Sequence, residues 1–436
     1  MNNSKPNYID NNDNTTLIIE CYKKNIYNAI KIIKTGNSKP DYIDNNGNTA
    51  LIIACRNKMT DVALELIKTG NSKPDYIDNH GNTALIIACS YELTDVALEL
   101  IKTRNSKPEH VDNNGNTALI IACSYKLTDV TLELIKTGNS KPECVNENGY
   151  TALIIACFNK MENVAFELIE TNNSKPEHIS KNEDTALIIS CNSKMIDVSL
   201  KIIETNDSKP EHVNKNGYTA LMVACKHKLT DVALKLIETN NSKPEYVNKN
   251  GFTALLIACF YNMSDISLKL IETNNSKSKQ IDIYGNTALI IACKNIMTNV
   301  ALELIKNSNS IPDYIDNDGN TALIIACKNK MTYVALELIK TNNSKPGHID
   351  NNGNTALIIA CMNKMSYVAI ELINTCEAKP KYVNKEGNTA LTYACKNSLK
   401  NVSHILMTIN KDGYINYFLK INNIVTISDF ENNDVK

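Results

Sequence analysis

A cysteine recurs every 34 residues along most of this chain: Cys21, Cys55, Cys89, Cys123, Cys157, Cys191, Cys225, Cys259, Cys293, Cys327, Cys361 and Cys395. Its surroundings recur with it, as in Gly47-Asn48-Thr49-Ala50-Leu51-Ile52-Ile53-Ala54-Cys55. Twelve units of 34 account for Asp10 to Tyr417 without insertion or deletion. A fixed period of this size imposes stacking, because one short unit cannot bury its own apolar face and must lean on its neighbours. The 436 residues therefore read as one growing array, not the two or three domains that length alone suggests. Residues 1–9 match the tail of a repeat, 10–417 form twelve tandem repeats, and 418–436 make a C-terminal tail.

Within the unit from Asp44 to Ile77, Asp44-Asn45-Asn46-Gly47-Asn48 is tight-turn chemistry, since Asn, Asp and Gly tolerate positive φ. Gly holds the tip in ten of twelve units, and Thr follows in all twelve, where its hydroxyl would cap a helix. A first short helix is expected from Ala50 to Asn57. A second is expected from an N-cap pair at Thr60-Asp61 to Thr69, with Val62, Ala63, Leu64, Leu66 and Ile67 on a broad apolar face. Gly70, a position that is Gly or Asn in nine units, reads as a left-handed C-cap. All eleven prolines share one place in the following loop, where no helix continues. The fold class is all-α: helix–turn–helix units with β-turn tips, stacked as a curved rod.

No segment approaches the roughly 20 apolar residues of a membrane span, and the N-terminus has no apolar signal core. A net charge of −1 gives no electrostatic reason to expect nucleic acid or an anionic membrane as partner. Equivalent cysteines in stacked units lie about 8–10 Å apart, beyond the roughly 7 Å a disulfide allows. They read as small buried hydrophobes in a reducing, intracellular setting. Cys144 and Cys376 fall outside the pattern and are the expected sites of thiol labelling.

Two helices, a Gly-tipped turn and an extended linker resemble an ankyrin repeat. The stretch from Gly47 to Cys55 is similar to the ankyrin Gly-x-Thr-Pro-Leu-His-x-Ala-Ala, with Ala50 for Pro and Ile52 for His. Lys58 stands where that family has Gly between its helices, and the loop after Gly70 carries one extra residue. Tetratricopeptide repeats share the period but need an aromatic-rich first helix, and this chain has no Trp. The Asn-, Ile- and Lys-heavy wording resembles the ankyrin-repeat proteins of giant DNA viruses of amoebae, which implies the host cytoplasm. The ends differ from the interior: Glu20 and Asn28 replace core Ala and Val, and His404 and Ile405 shift the last apolar face, which Tyr414 to Ile427 could cover. In the sixth unit Glu183 replaces the tip Gly and Ser190 a core Ala, so the array is expected to open first near residues 180–195.

A near-identical array offers the same residues twelve times, whereas an enzyme needs unlike residues converging once. There is no phosphate loop, no Cys-x-x-Cys and no His-Glu-x-x-His, so neither catalysis, cofactor nor metal is expected. His110, His178, His212 and His348 share the Tyr42 position and read as amphipathic linker rings, too far apart to share zinc. Opposite charges at i,i+3, such as Glu65/Lys68 and Lys201/Glu204, read as a solvated face. What varies is the residue after the tip Gly and the end of the first helix. There Tyr150, Phe158, Tyr218, Phe252, Phe260 and Tyr261 replace the polar residues of other units. These positions read as free of the packing constraint. The resemblance implies that they line a concave groove, so another protein is the expected partner of a monomeric scaffold. The competing reading is an adaptor whose C-terminal segment recruits a ubiquitin-ligase component or other effector.

Overall fold

The structure, a computed structural model, describes residues 9–412 apart from 11–13, 37, 104, 172, 240, 274–275, 307–309, 342 and 376. Among the described residues, twenty-four helices form twelve pairs, from Thr16–Tyr22 with Ile26–Lys34 to Ala390–Lys396 with Lys400–Asp412. The fold is the expected all-α repeat array; the β element reduces to isolated bridges such as Ile43 to Thr49 at the tips. The chain divides into two compact units, Met1–Val223 and Ala224–Lys436, with the boundary inside the helix Ala220–His227 of repeat 7. Within each unit, first helices pack on first helices of the next repeat and second helices on second helices.

Local chemistry explains each element. Thr49, fully buried and extended at ψ 161°, accepts from the Ile52 N–H through its hydroxyl and so caps Ala50–Arg56. The same cap recurs from Thr15 to Thr389. In the tip, Asp44 Oδ1 accepts from the N–H groups of Asn46 and Asn48 at 3.0 and 2.8 Å, closing the turn from inside. Gly47 needs its left-handed φ of 72°, and a Cβ there would also lie 2.5 Å from Asn79 Oδ1 of the next repeat. Leu51, Ala54 and Cys55 are fully buried, and burial of a leucine contributes about 1.5–3 kcal/mol.

The second helix corrects the sequence reading at its start. It runs Thr60–Lys68, but the cap is Met59, which has no side-chain cap bond. The Met59 N–H bonds the Ala54 carbonyl at 2.9 Å across a two-residue turn, and its side chain is 1% exposed. Thr60 is thereby drawn inside the helix, and Asp61 favours the first turn by opposing the helix dipole. Lys58 adopts φ 55°, so the inter-helix turn keeps the left-handed geometry of the missing Gly, as do its equivalents from Lys24 to Ser398. At the other end Gly36, Gly70 and Gly138 are left-handed as expected. Without this Gly the end varies: Thr103 and Thr205 turn extended, at ψ 134° and 143°, whereas Thr273 stays helical at ψ −6°.

Of two features expected to be faults, Glu183 is as expected and Ser190 is not. Glu183 does occupy positive φ, at 60°. Ser190, however, donates to the Leu187 carbonyl at 2.9 Å and accepts from Ser199 at 2.8 Å, and Ser199 replaces the usual Ala of the second helix. A buried hydroxyl with partners costs little, so the pair fits the core. Conversely, one ladder cysteine is not buried: Cys395 is exposed because its helix is the last first helix among the described residues. Cys376 and the tail from Gly413, including residues 418–436, lie outside the described residues, as do residues 1–8.

Candidate partner-binding face

The face is built from three positions per repeat: the residue after the tip Gly, the last residue of the first helix, and the residue that follows it. In several repeats these positions carry a polar system that ties one repeat to the next. Arg56 bonds Asn48 Oδ1 at 2.6 Å and ion-pairs with the buried Asp78 of the next tip. Lys294 reaches Asn286 at 3.0 Å, Asp316 at 2.9 Å and Asp318 at 3.4 Å. Lys328 repeats the pattern with Asn320 and Asp350, and Tyr22 donates to Asp44 at 2.6 Å. At Asp316 and Asp350 the contact is an ion pair, not an aligned hydrogen bond. Burial first, and then the bond to Asp44, push the Tyr22 phenol above its ordinary range.

The following position holds an asparagine clamp. Asn57 donates to the Cys21 carbonyl of the preceding repeat at 3.0 Å. Asn159, Asn295, Asn329, Asn363 and Asn397 do the same to Cys123, Cys259, Cys293, Cys327 and Cys361, at 2.8–2.9 Å. Each amide gives a second donor to a carbonyl that already accepts the N–H three residues on, in the turn after the first helix. These positions are therefore not free of structural constraint, as the sequence suggested; where they are Asn, they join repeats.

In some repeats aromatic residues take one or more of these three positions. In the first unit Phe158 is 72% exposed at the cation position, and Tyr150 is half-buried with its hydroxyl accepting from Asn182 at 3.0 Å. Tyr218, also half-buried, lies two repeats on, and between them Asp184 accepts from Asn214 at 2.8 Å. In the second unit, Phe260 is 56% exposed and meets Tyr261 edge-on at 5.3 Å. Phe252 lies 6.2 Å from Tyr284, a 59% exposed tip residue. In repeat 9 the equivalent of Phe260 is Lys294, which touches both Asn286 and Asp318. Repeat equivalence thus sets Phe260 between Phe252 and Tyr284, and Ile283 extends the apolar tip.

Sequence reading missed Ile283 and Tyr284, although the signal was present: other tips place Asn, Lys, Glu, His or Asp there. It also missed Tyr91 and Tyr125, exposed at the clamp position of repeats 3 and 4. Lys58 Nζ lies 5.9 Å from the Tyr91 ring centre, a cation–π contact.

A family profile described as ankyrin repeats (3 copies) matches residues 17–109, 94–178, 160–244, 187–282, 268–346 and 329–416. The chain belongs to the ankyrin-repeat family. No curated protein matches it. Among solved structures it is similar to a chain from a complex of a predatory endopeptidase of Bdellovibrio bacteriovorus with an immunity protein. That likeness has 24% identity, covers 45% of this chain and 98% of that one, and has a TM-score of 0.36. Ankyrin repeats are in general protein–protein interaction modules, and no catalytic family matches here.

Other polar groups of the ankyrin array are structural. His110, His178, His212 and His348 bond the preceding tip's carbonyl, at Gly81, Gly149, Glu183 and Gly319, across 2.7–3.0 Å. Among the described residues no group of three His, Cys, Asp or Glu is placed to hold a metal. Burial pushes the thiols of Cys55, Cys89, Cys123, Cys191, Cys259 and Cys293 up to about 12, which makes them inert at neutral pH. Glu65/Lys68 and Lys269/Glu272 pair within a helix as expected. Lys201 instead bonds Glu170 of the preceding repeat at 2.8 Å. No helix among the described residues is long and apolar enough to cross a membrane.

Proposed function

We propose that this chain is a non-catalytic scaffold that binds another protein through the tip and first-helix face, the face that is concave in ankyrin arrays. The observation that carries this reading is repeat 8, where Phe260 and Tyr261 replace the cation and the clamp while the core beneath is nearly the same as in its neighbours. A repeat that gives up inter-repeat bonds for exposed rings loses stability locally, and such departures from the local rule mark functional positions. Large aromatic rings supply contact area at low entropy cost and dominate interface energetics. Tyr150, Phe158 and Tyr218 of the first unit, and Phe252, Phe260 and Tyr261 of the second, are the contact residues, to which Tyr284 and Ile283 are added.

The setting is intracellular, in the cytoplasm of a host cell, which keeps the buried thiols reduced. The scaffold works as a monomer and takes neither nucleic acid nor membrane as partner. The test places a photo-cross-linking residue at Phe260 and compares adducts with those of a chain also carrying Phe252→Asn and Tyr284→Asn. A discrete protein adduct lost in the second chain supports the reading. The same adducts in both chains would remove the aromatic cluster from the binding site.

A further inference from the structure

We propose that repeats 9 to 12 carry a second docking surface, on their inter-helix turns, for an acidic peptide segment of a partner protein. Three positions in each repeat set its chemistry: the left-handed turn residue and the first two residues of the second helix, which are Lys58, Thr60 and Asp61 in repeat 2. In each of repeats 2 to 8 a carboxylate stands at one of these positions, as Asp61, Asp95, Glu162 and Asp265 do. It opposes the positive end of its helix dipole and gives turn lysines such as Lys58 a counter-charge three residues on. In repeats 9 to 12 no carboxylate remains at these positions. Tyr333 and Tyr367 take the place of Asp61 and are 75% and 65% exposed. Ile296 takes the place of Lys58, 58% exposed and at φ 57°, a conformation that a β-branched residue adopts only at a cost. Exposed rings and a strained aliphatic side chain stand where other repeats place charge, and such departures from local rules mark functional positions.

Second helices stack on second helices here, so equivalent residues form a row at intervals of about 8–10 Å. Lys330, Lys364 and Lys400 lie in the same row, exposed, and none forms an ion pair among the described residues. Farther along these helices Glu303 and Glu337 are matched by Lys306 and Lys340. In repeat 11 Glu371 is half-buried, and Asn374 replaces the lysine. The row therefore joins apolar contact area to uncompensated cations, which fits a segment with apolar side chains set between carboxylates. An extended chain rises about 3.3 Å per residue, so Tyr333 and Tyr367 would meet side chains about three residues apart. Nucleic acid fits less well, because three lysines spread over four repeats neutralise few phosphates. This surface is separate from the aromatic tip face, and the inference does not rest on that reading.

The test pans a phage library of random peptides on the full-length chain, with subtraction on a full-length chain carrying Tyr333→Asp and Tyr367→Asp. Aspartate is what most other repeats use there, so this variant should melt no lower than the parent. Peptides that survive subtraction are expected to be enriched in Asp and Glu over the library and to carry apolar residues between them. A fluorescent copy of the strongest should bind the subtracting variant about tenfold more weakly than the parent. Lys330→Glu with Lys364→Glu should weaken it as much, while Phe260→Asn with Tyr261→Asn should leave it unchanged, which separates this surface from the tip face. Survivors without acidic enrichment, or no survivors at all, overturn the proposal. Equal binding to the Lys330→Glu, Lys364→Glu chain overturns it too. Displacement of the peptide by an equal concentration of single-stranded oligothymidylate would assign the row to nucleic acid and likewise overturn it.

Discussion

Repeats 8 and 9, neighbours in the second unit, share nearly the same buried letters and differ sharply at the surface. Ala254-Leu255-Leu256-Ile257-Ala258-Cys259 and Ala288-Leu289-Ile290-Ile291-Ala292-Cys293 are buried to within a few per cent. Repeat 9 then continues with Lys294 and Asn295, which bond to the tip and to the repeat before it. Repeat 8 continues with Phe260 and Tyr261, which meet each other. Packing and recognition are therefore written in separate letters of one repeat. The core is held constant, and only the positions that can choose between clamping a neighbour and facing a partner change.

The comparison breaks first if the cores are not equivalent. Alkaline pH gives the largest expected effect. The buried thiols ionise near 12 in the folded chain but near 9 when unfolded, so above pH 9 the unfolded state binds fewer protons and stability falls. Each thiol adds a loss on the order of 1 kcal/mol per pH unit within that window. A thermal-melting series from pH 7 to 11 should be flat below about pH 8 and fall steeply above 9. A flat profile to pH 11 would mean that the ladder is not sealed. Next, Leu255→Ala and Leu289→Ala should each cost about 2–5 kcal/mol in urea unfolding and agree with one another. Unequal losses would show that the aromatic surface of repeat 8 alters the packing below it.

The surface half of the comparison is sharpened by smaller effects. Lys294→Ala leaves the buried Asp316 carboxylate without its cation and should cost about 1–3 kcal/mol. Restoring most of that loss by adding Asp316→Asn would identify the stranded charge as the cause. Asn295→Ala should cost about 0.5–1.5 kcal/mol, the value of one clamp bond. Denaturant midpoints measure both, and a null result for Asn295→Ala would make the clamp ornamental.

Much of this was legible in one sequence because the unit is written twelve times. Thr49 as cap, Gly47 as tip and Leu51 as core each follow from local chemistry or helical period. The clamps were not legible, because Asn57 and Cys21 are 36 residues apart and Arg56 and Asp78 are 22 apart, separations that no helix or strand period reveals. Asn57 therefore read as the end of the first helix and its position as free to vary. Ser190 read as a fault for the same reason: its partner Ser199 lies on another helix. Met59 was passed over as a cap because its bond is made by the backbone, to Ala54. In the site, exposed rings could be named from their letters, but the pairing of Phe252 with Tyr284 needed the stacking of one tip on the next.

The central claim is that repeat 8 has given up a bond between repeats in favour of a binding surface, and Tyr261→Asn tests it most directly. The new amide would stand where Asn295 reaches Cys259 one repeat later, within reach of the Cys225 carbonyl. The account predicts opposite changes in one variant. Stability measured by urea unfolding should rise by about 0.5–1.5 kcal/mol. Affinity for the protein captured through Phe260 should fall by about 2 kcal/mol, as for an interface hot spot. A variant that is less stable than the parent, or one that binds as well, would contradict it.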